Sequence, residues 1–314
     1  MTAAAGARRV PGRGNAIRSR RLLCVAATFL ALPGFASPVP GKAAIASAHP
    51  LATEAGMEVL ARGGNAFDAA VAVSAALAVV EPNGSGMGGG GFYLLHRAAD
   101  GKQVVVDARE VAPAAATRDM YLDAAGNPIE GLSTRHAKAA GIPGAPAGWQ
   151  HLAQNYGRLP LAASLAPAIR LARQGVVISE RMHKDLARVL ADEGLVGDGS
   201  SEFARIYLVR GAAPPVGHRL RQPDLARSLE VLATGGADAF YRGPFARKLV
   251  AGVQSLGGIW TGDDLAAYRV VERAPVIASY RGLRVVSAPP PSSGGVWLAS
   301  VLNVLAGYDL DRFD

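Results

Sequence analysis

The stretch 65–82, NAFDAAVAVSAALAVVEP, constrains this chain more than any other. From 69 to 80 it is apolar on nearly every face of a helix. A helix without a polar face has no side to offer to water, so it is buried between layers of other structure. Its start is marked locally. Asn65 is a good N-cap, and Asp68 three residues on completes a capping-box arrangement. The fold must therefore be layered, with this helix inside.

The flanking segments supply those layers. Before it, 44–64 reads as a short strand and then a helix that turns Leu51, Ala55, Val59 and Leu60 to the core and ends at Gly63-Gly64. After it come two strand-like runs, 92–96 and 103–107, joined by a turn holding Asp100-Gly101, a hairpin signal. The region 114–147 is rich in loops. Helical patterns follow at 159–175, at 179–194 with Ser179 as cap, and at 222–236 and 243–258, each of the last two closed by a glycine pair. Thr261 and Asp264 form a second capping pair. Two strands are expected at 270–279 and 283–287, and a helix capped by a serine is expected to begin near Val296 after PPPSSGG (289–295), with Val296, Leu298, Val301, Leu302 and Leu305 along one face. Hairpins mixed with helices, without a long linker or an internal repeat, favour α+β layers over a parallel doubly wound sheet.

Charge is informative only after it is divided. The formal net charge is +8, yet Arg8, Arg9, Arg13, Arg18, Arg20 and Arg21 lie within the first 36 residues, where there is no Asp or Glu. Without them the body carries +2, which gives no electrostatic case for a nucleic-acid partner. The basic stretch precedes LLCVAATFLALPGFA (22–36), an apolar run with small residues at Gly34 and Ala36. That order describes an export signal over 1–36 and a periplasmic or extracellular protein. The run is short for a bilayer span, and Pro33 breaks it, so no stable membrane span is expected beyond the signal. Cys24, the sole cysteine, lies inside the signal, which leaves the mature chain without a disulfide or a thiol nucleophile.

Few stretches invite chemistry. GSGMGGGG (84–91) lacks the following helix and the lysine that a phosphate loop needs; a strand follows it instead. It is a tight turn where backbones approach closely, and it could line a pocket. Arg109, in VVVDAREVAP, stands just past a strand end between Asp107 and Glu110. It is either a paired surface charge or a planar bidentate clamp for a carboxylate. The six histidines are scattered without i,i+4 spacing, so no metal site is expected. There is no G-x-S-x-G elbow, and Ser292 and Ser293 have no nearby histidine.

Seven of these stretches, in this order, resemble one family: GGNAFDAAVAVSAALAVVEP, GMGGGGF, DAREVAPAAATRDMYLD, GIPGAPAGW, LPLAASLAPAIRLARQG, DLAAYRVVERAPV and PPPSSGG. Together they are similar to the large subunit of the γ-glutamyltransferases (γ-glutamyltranspeptidases, glutathione hydrolases), from about Ala44 onward. The resemblance implies an N-terminal-nucleophile hydrolase, a four-layer αββα sandwich, incomplete in this chain. It implies a precursor that cleaves itself before a threonine, whose hydroxyl then attacks the γ-glutamyl carbonyl while its own amine acts as base. Water or an amine acceptor releases the acyl group. Arg109 matches the family's arginine for the α-carboxylate of the glutamyl donor. The family's T-T-H processing triplet does not occur in this sequence, so no catalytic residue is assigned and the nucleophile is expected beyond position 314, in a small subunit from the same precursor. On this reading 37–314 is a partial large-subunit domain with no cofactor, inactive alone, whose helix at 69–80 lacks part of its cover. A cephalosporin-acylase-like specificity on the same scaffold, or an inactive truncated protein, is the alternative.

Overall fold

A computed structural model of the chain describes residues 43–191 and 201–312. The export signal expected at 1–36, with Cys24, lies outside the described residues. From Ala44 onward the chain forms one compact unit.

Helix α1 (Pro50–Ala61) is followed after a Gly63-Gly64 turn by α2 (Ala66–Val80). The capping box is present as the sequence predicts: Asn65 Oδ1 accepts from the Phe67 and Asp68 amides, and Asp68 Oδ2 accepts from the Asn65 amide at 2.8 Å. Asp68 does more than cap. It is fully buried and also accepts from the amides of Arg158 and Leu159, in the turn between α3 (Ala145–Asn155) and α4 (Leu161–Gln174). One carboxylate thus fixes the start of α2 to the joint of two other helices. Nine of the fifteen residues of α2 are buried, enclosed by α1, α3 and α4. The described residues bury most of this helix, while the stripe Ala70, Val73, Ser74 and Leu77 stays half-buried, so the expected loss of cover is confined to one face.

Strands β1 (Gly91–Arg97) and β2 (Lys102–Ala108) form the expected hairpin, paired from Gly91 with Ala108 to Arg97 with Lys102. Short β3 (Val176–Val177) and β4 (Arg219–Leu220) pair with each other beside α5 (Glu180–Ala191) and α6 (Glu202–Tyr207). Ser179 caps α5, its hydroxyl accepting from the Met182 amide. Helix α7 (Pro223–Tyr241) packs on α4. The glycine pair predicted to close it instead kinks it: Gly236 has φ 65°, and the amide of Ala237 beyond it donates to the side chain of Gln150 on α3. Helices α8 (Gly243–Ser255) and α9 (Gly262–Ala267) follow, the latter with its predicted Thr261–Asp264 box.

The strand expected at 270–279 is divided. β5 (Val271–Arg273) joins β2 in an antiparallel sheet of order β1-β2-β5, whereas β6 (Val276–Tyr280) pairs, among the described residues, with β7 (Leu283–Ser287) alone. The break falls at Ala274-Pro275; proline has no amide to donate to a ladder. Strand β2 is central in its sheet, and Val104 to Ala108 are buried on both faces, with α3 on one of them. Helix α10 (Gly294–Leu305) starts two residues before the expected position, packs on β6 and β7, and begins at Ser293 without a side-chain cap bond.

Candidate functional site

The end of β2 is where four of the quoted motifs meet. The ladder with β1 stops at Ala108, so Arg109 leaves the sheet without strand partners for its backbone. Its amide donates to Asp107 Oδ1 at 3.0 Å, and its carbonyl accepts from the Tyr268 hydroxyl at 2.8 Å. Asp107 is itself nearly buried, and its other oxygen accepts from Arg273 Nε of β5 at 2.8 Å. The Arg109 carbonyl is therefore held directly by the DLAAYRVVERAPV segment, far away in sequence, and its amide by the neighbouring Asp107, which Arg273 of the same segment braces.

Glycines close the rest of the space. A Cβ on Gly90 would lie 2.3 Å from the Ala108 carbonyl oxygen and 2.9 Å from Arg109 Cα, contacts no side chain can make. A Cβ on Gly144 would lie 2.1 Å from the same carbonyl oxygen and 2.2 Å from the Tyr268 hydroxyl. The carbonyl of Gly89 accepts from the amides of Gly144 and Ala145, joining the glycine turn to the start of α3. Absence of side chains at these positions is a packing requirement of the Arg109 corner, which is the close approach of backbones predicted for the 84–91 turn.

The guanidinium faces outward from this rigid base. Its side chain is 56% exposed, with Nε 3.0 Å from Glu110 Oε2 and Cζ 5.8 Å from the centre of the Phe92 ring. Among the described residues neither Nη makes a hydrogen bond, so the fork that suits a carboxylate is open. An ion pair this exposed contributes only about 0–1 kcal/mol, too little to lock the side chain against a better partner. Behind the backbone the Tyr268 and Tyr241 rings stack at 5.4 Å and 6°. Burial first, then the charges of Asp107 and Glu110, push the Tyr268 hydroxyl above its ordinary range. Burial does the same to Tyr241. Both remain protonated donors, Tyr241 to the Pro143 carbonyl at 2.8 Å.

A hollow of about 510 Å³ is lined by Gly86, Met87 and Gly88 of the same turn and by Arg205, Tyr207 and Gln222 among others. Arg109 does not line it. Residues 86–88 of the turn thus line a hollow, while Gly89 and Gly90 pack at the arginine corner. Ser292 and Ser293 sit at the start of α10, where the Ser292 hydroxyl accepts from the Gly294 amide at 3.3 Å. Among the described residues no three His, Cys, Asp or Glu side chains gather as a metal site requires, and no helix is long and apolar enough to cross a membrane. Sequence reasoning named Arg109 but gave no role to Asp107, Tyr268 or Arg273. All three lie in the quoted motifs, and that was the available signal.

Comparison with known proteins agrees with this convergence. Residues 52–314 match the Gamma-glutamyltranspeptidase family. The chain is 42% identical over 269 residues to a glutathione hydrolase proenzyme of Escherichia coli (strain K12), covering 86% of this chain and 46% of that protein. It is 41% identical over 268 residues to the acylase ACY 1 proenzyme of Pseudomonas sp. (strain V22), covering 83% and 47%. The solved Helicobacter pylori gamma-glutamyltranspeptidase superposes with a TM-score of 0.82 at 41% identity, over 86% of this chain and 76% of that one. The chain spans about half the length of the two proenzymes it matches. Its fold is the α+β, N-terminal-nucleophile-hydrolase type expected from the motifs. Seven motifs in order, the meeting of four of them at one corner, and the match across nearly all the described residues together place the chain in the gamma-glutamyltranspeptidase family.

Proposed function

We propose that this chain supplies the scaffold and the α-carboxylate clamp for γ-glutamyl acyl transfer. The donors are glutathione and related γ-glutamyl compounds, and the acceptors are water or amines. Arg109 grips the donor's α-carboxylate through its open Nη fork. A threonine in polypeptide corresponding to the part of the relatives that this chain does not span attacks the γ-carbonyl and forms the acyl-enzyme. That polypeptide also covers the apolar face of α10. On this reading 1–36 directs export, 37–314 is large-subunit scaffold, and the chain alone has no turnover.

One observation carries the proposal. Four separated motifs fix the Arg109 backbone from both sides, while among the described residues its Nη groups have no hydrogen-bond partner. A structural arginine would be expected to spend its donors on its own fold. The test is calorimetric titration of the chain with L-glutamate. Millimolar ligand should release heat, and Arg109→Ala should abolish it. Equal heat from the variant, or none from the unaltered chain, overturns the clamp.

The acylase relative gives a second reading, because its identity to this chain nearly equals that of the glutathione hydrolase. An acyl donor without an α-carboxylate has no use for the clamp. Binding of such a donor that is indifferent to Arg109→Ala would favour the acylase.

A further inference from the structure

We propose that Tyr268 is the positioning residue for Arg109, its hydroxyl holding the arginine's carbonyl while Asp107, braced by Arg273, holds the amide. This rests on the clamp reading of Arg109 and names what makes the clamp effective. Arg109 stands one residue beyond the last paired residue of β2, where an isolated strand end would fray. A bidentate pair with a carboxylate requires the guanidinium plane to be aimed, and the aim of a long side chain starts at its backbone.

The local packing is built around that hydroxyl. Gly144 has no room for a Cβ beside it, since one would lie 2.2 Å from the Tyr268 oxygen. Tyr268 is nearly buried and stacks on Tyr241, so its ring cannot swing away. The elevated proton affinity of the hydroxyl keeps it a donor across the working pH range of most proteins. On the opposite side, Asp107 has one oxygen on the Arg109 amide and the other on Arg273. The arginine is therefore held at both ends of its peptide unit by side chains, as the neighbouring strand residues are held by the ladder.

Tyr241 provides the control. The residue is as nearly buried, and its hydroxyl donates to the Pro143 carbonyl and accepts from the Ala147 amide, with no bond to Arg109. Tyr268→Phe and Tyr241→Phe each remove one hydroxyl and keep the stacked rings. Hydrogen exchange of the full chain, read by mass spectrometry on peptides covering 107–112, should accelerate by about five- to tenfold in Tyr268→Phe. It should stay near the unaltered rate in Tyr241→Phe, although that variant loses two hydroxyl bonds and Tyr268→Phe only one. Glutamate affinity should weaken by about the same factor in the first variant alone. Unchanged exchange at 107–112 in Tyr268→Phe, or equal acceleration in both variants, overturns the inference. The clamp reading fails separately: Arg109→Ala would then leave glutamate binding intact while exchange still responded to Tyr268→Phe.

Discussion

Helices α2 and α10 are nearly equal in apolar content and opposite in fate. Nine of the fifteen residues of α2 are buried, whereas of the twelve in α10 only Gly295 is. Val79 of α2 is fully buried; Trp297 and Val304 of α10 are 67% and 63% exposed. The difference lies in what surrounds each helix. α2 is enclosed by α1, α3 and α4 and fixed by a buried carboxylate, while α10 has only the β6–β7 hairpin against one side. Apolar sequence states a demand for cover, and other polypeptide must meet it. The boundary between the two regimes is Ala274-Pro275, after which none of the described residues contributes to the main core.

The largest contrast is expected from the residue that fixes α2. Asp68→Ala would leave the amides of Asn65, Arg158 and Leu159 without their acceptor in a buried place. Orphaning three donors should cost about 3–5 kcal/mol, measurable by chemical denaturation. The uncapped start of α10 offers no equivalent, and Ser293→Ala should change stability by less than about 0.5 kcal/mol. Next in size is a matched pair of truncations. Val79→Ala should destabilise by about 2 kcal/mol through lost burial and a residual cavity, and Val304→Ala by less than about 0.5 kcal/mol. Equal costs would mean that α10 is covered after all. A third variant tests the exposed face for association. With Trp297, Val304 and Tyr308 uncovered among the described residues, the chain should self-associate at tens of micromolar. Trp297→Glu should shift sedimentation toward the monomer without lowering the denaturation midpoint.

What the sequence made legible was local. The box at Asn65 and Asp68 spans three residues, and the hairpin at Asp100-Gly101 needs only its turn, so pattern found both. The same reach explains the errors. VVERAPVIAS has a continuous β pattern, and the proline that divides it was outweighed by its neighbours. The glycine pair at 235–236 carries a helix-stop signal, but the Gln150 side chain caps the next turn and the helix resumes. The contact from Tyr268 to Arg109 spans 159 residues and has no periodic trace. Pattern left Arg109 open between a surface charge and a clamp; the family resemblance supplied its candidate role, and the fold then supplied Tyr268 and Asp107 around it.

The smallest expected effect lies at the border between the two regimes. Strand β5 is clasped to the core by Glu272, which accepts from the Tyr156 hydroxyl, from His151 Nε2 at 3.0 Å and from Lys102 Nζ at 3.1 Å. The bond from Tyr156, and then those from His151 and Lys102, hold the Glu272 carboxyl down to about 2, opposed by partial burial. A carboxylate depressed on folding adds stability that is fully present above its unfolded value of about 4.5 and is lost as pH falls through its folded one. Stability should therefore decline between pH 4.5 and 2 with a contribution from Glu272. Glu272→Gln should flatten that part of the profile by lowering stability at pH 7, modestly because the cluster is partly exposed and screened, while leaving it nearly unchanged near pH 2. Beyond the border, β6 and β7 reach the sheet through the exposed contact of Arg284 with Gln103 at 2.6 Å. Gln103 does not titrate, so Arg284→Ala should leave the acid slope unchanged. A slope that responds to Arg284 and not to Glu272 would place the acid-sensitive joint on the wrong side of Pro275, and with it the division between the anchored and the appended parts of the molecule.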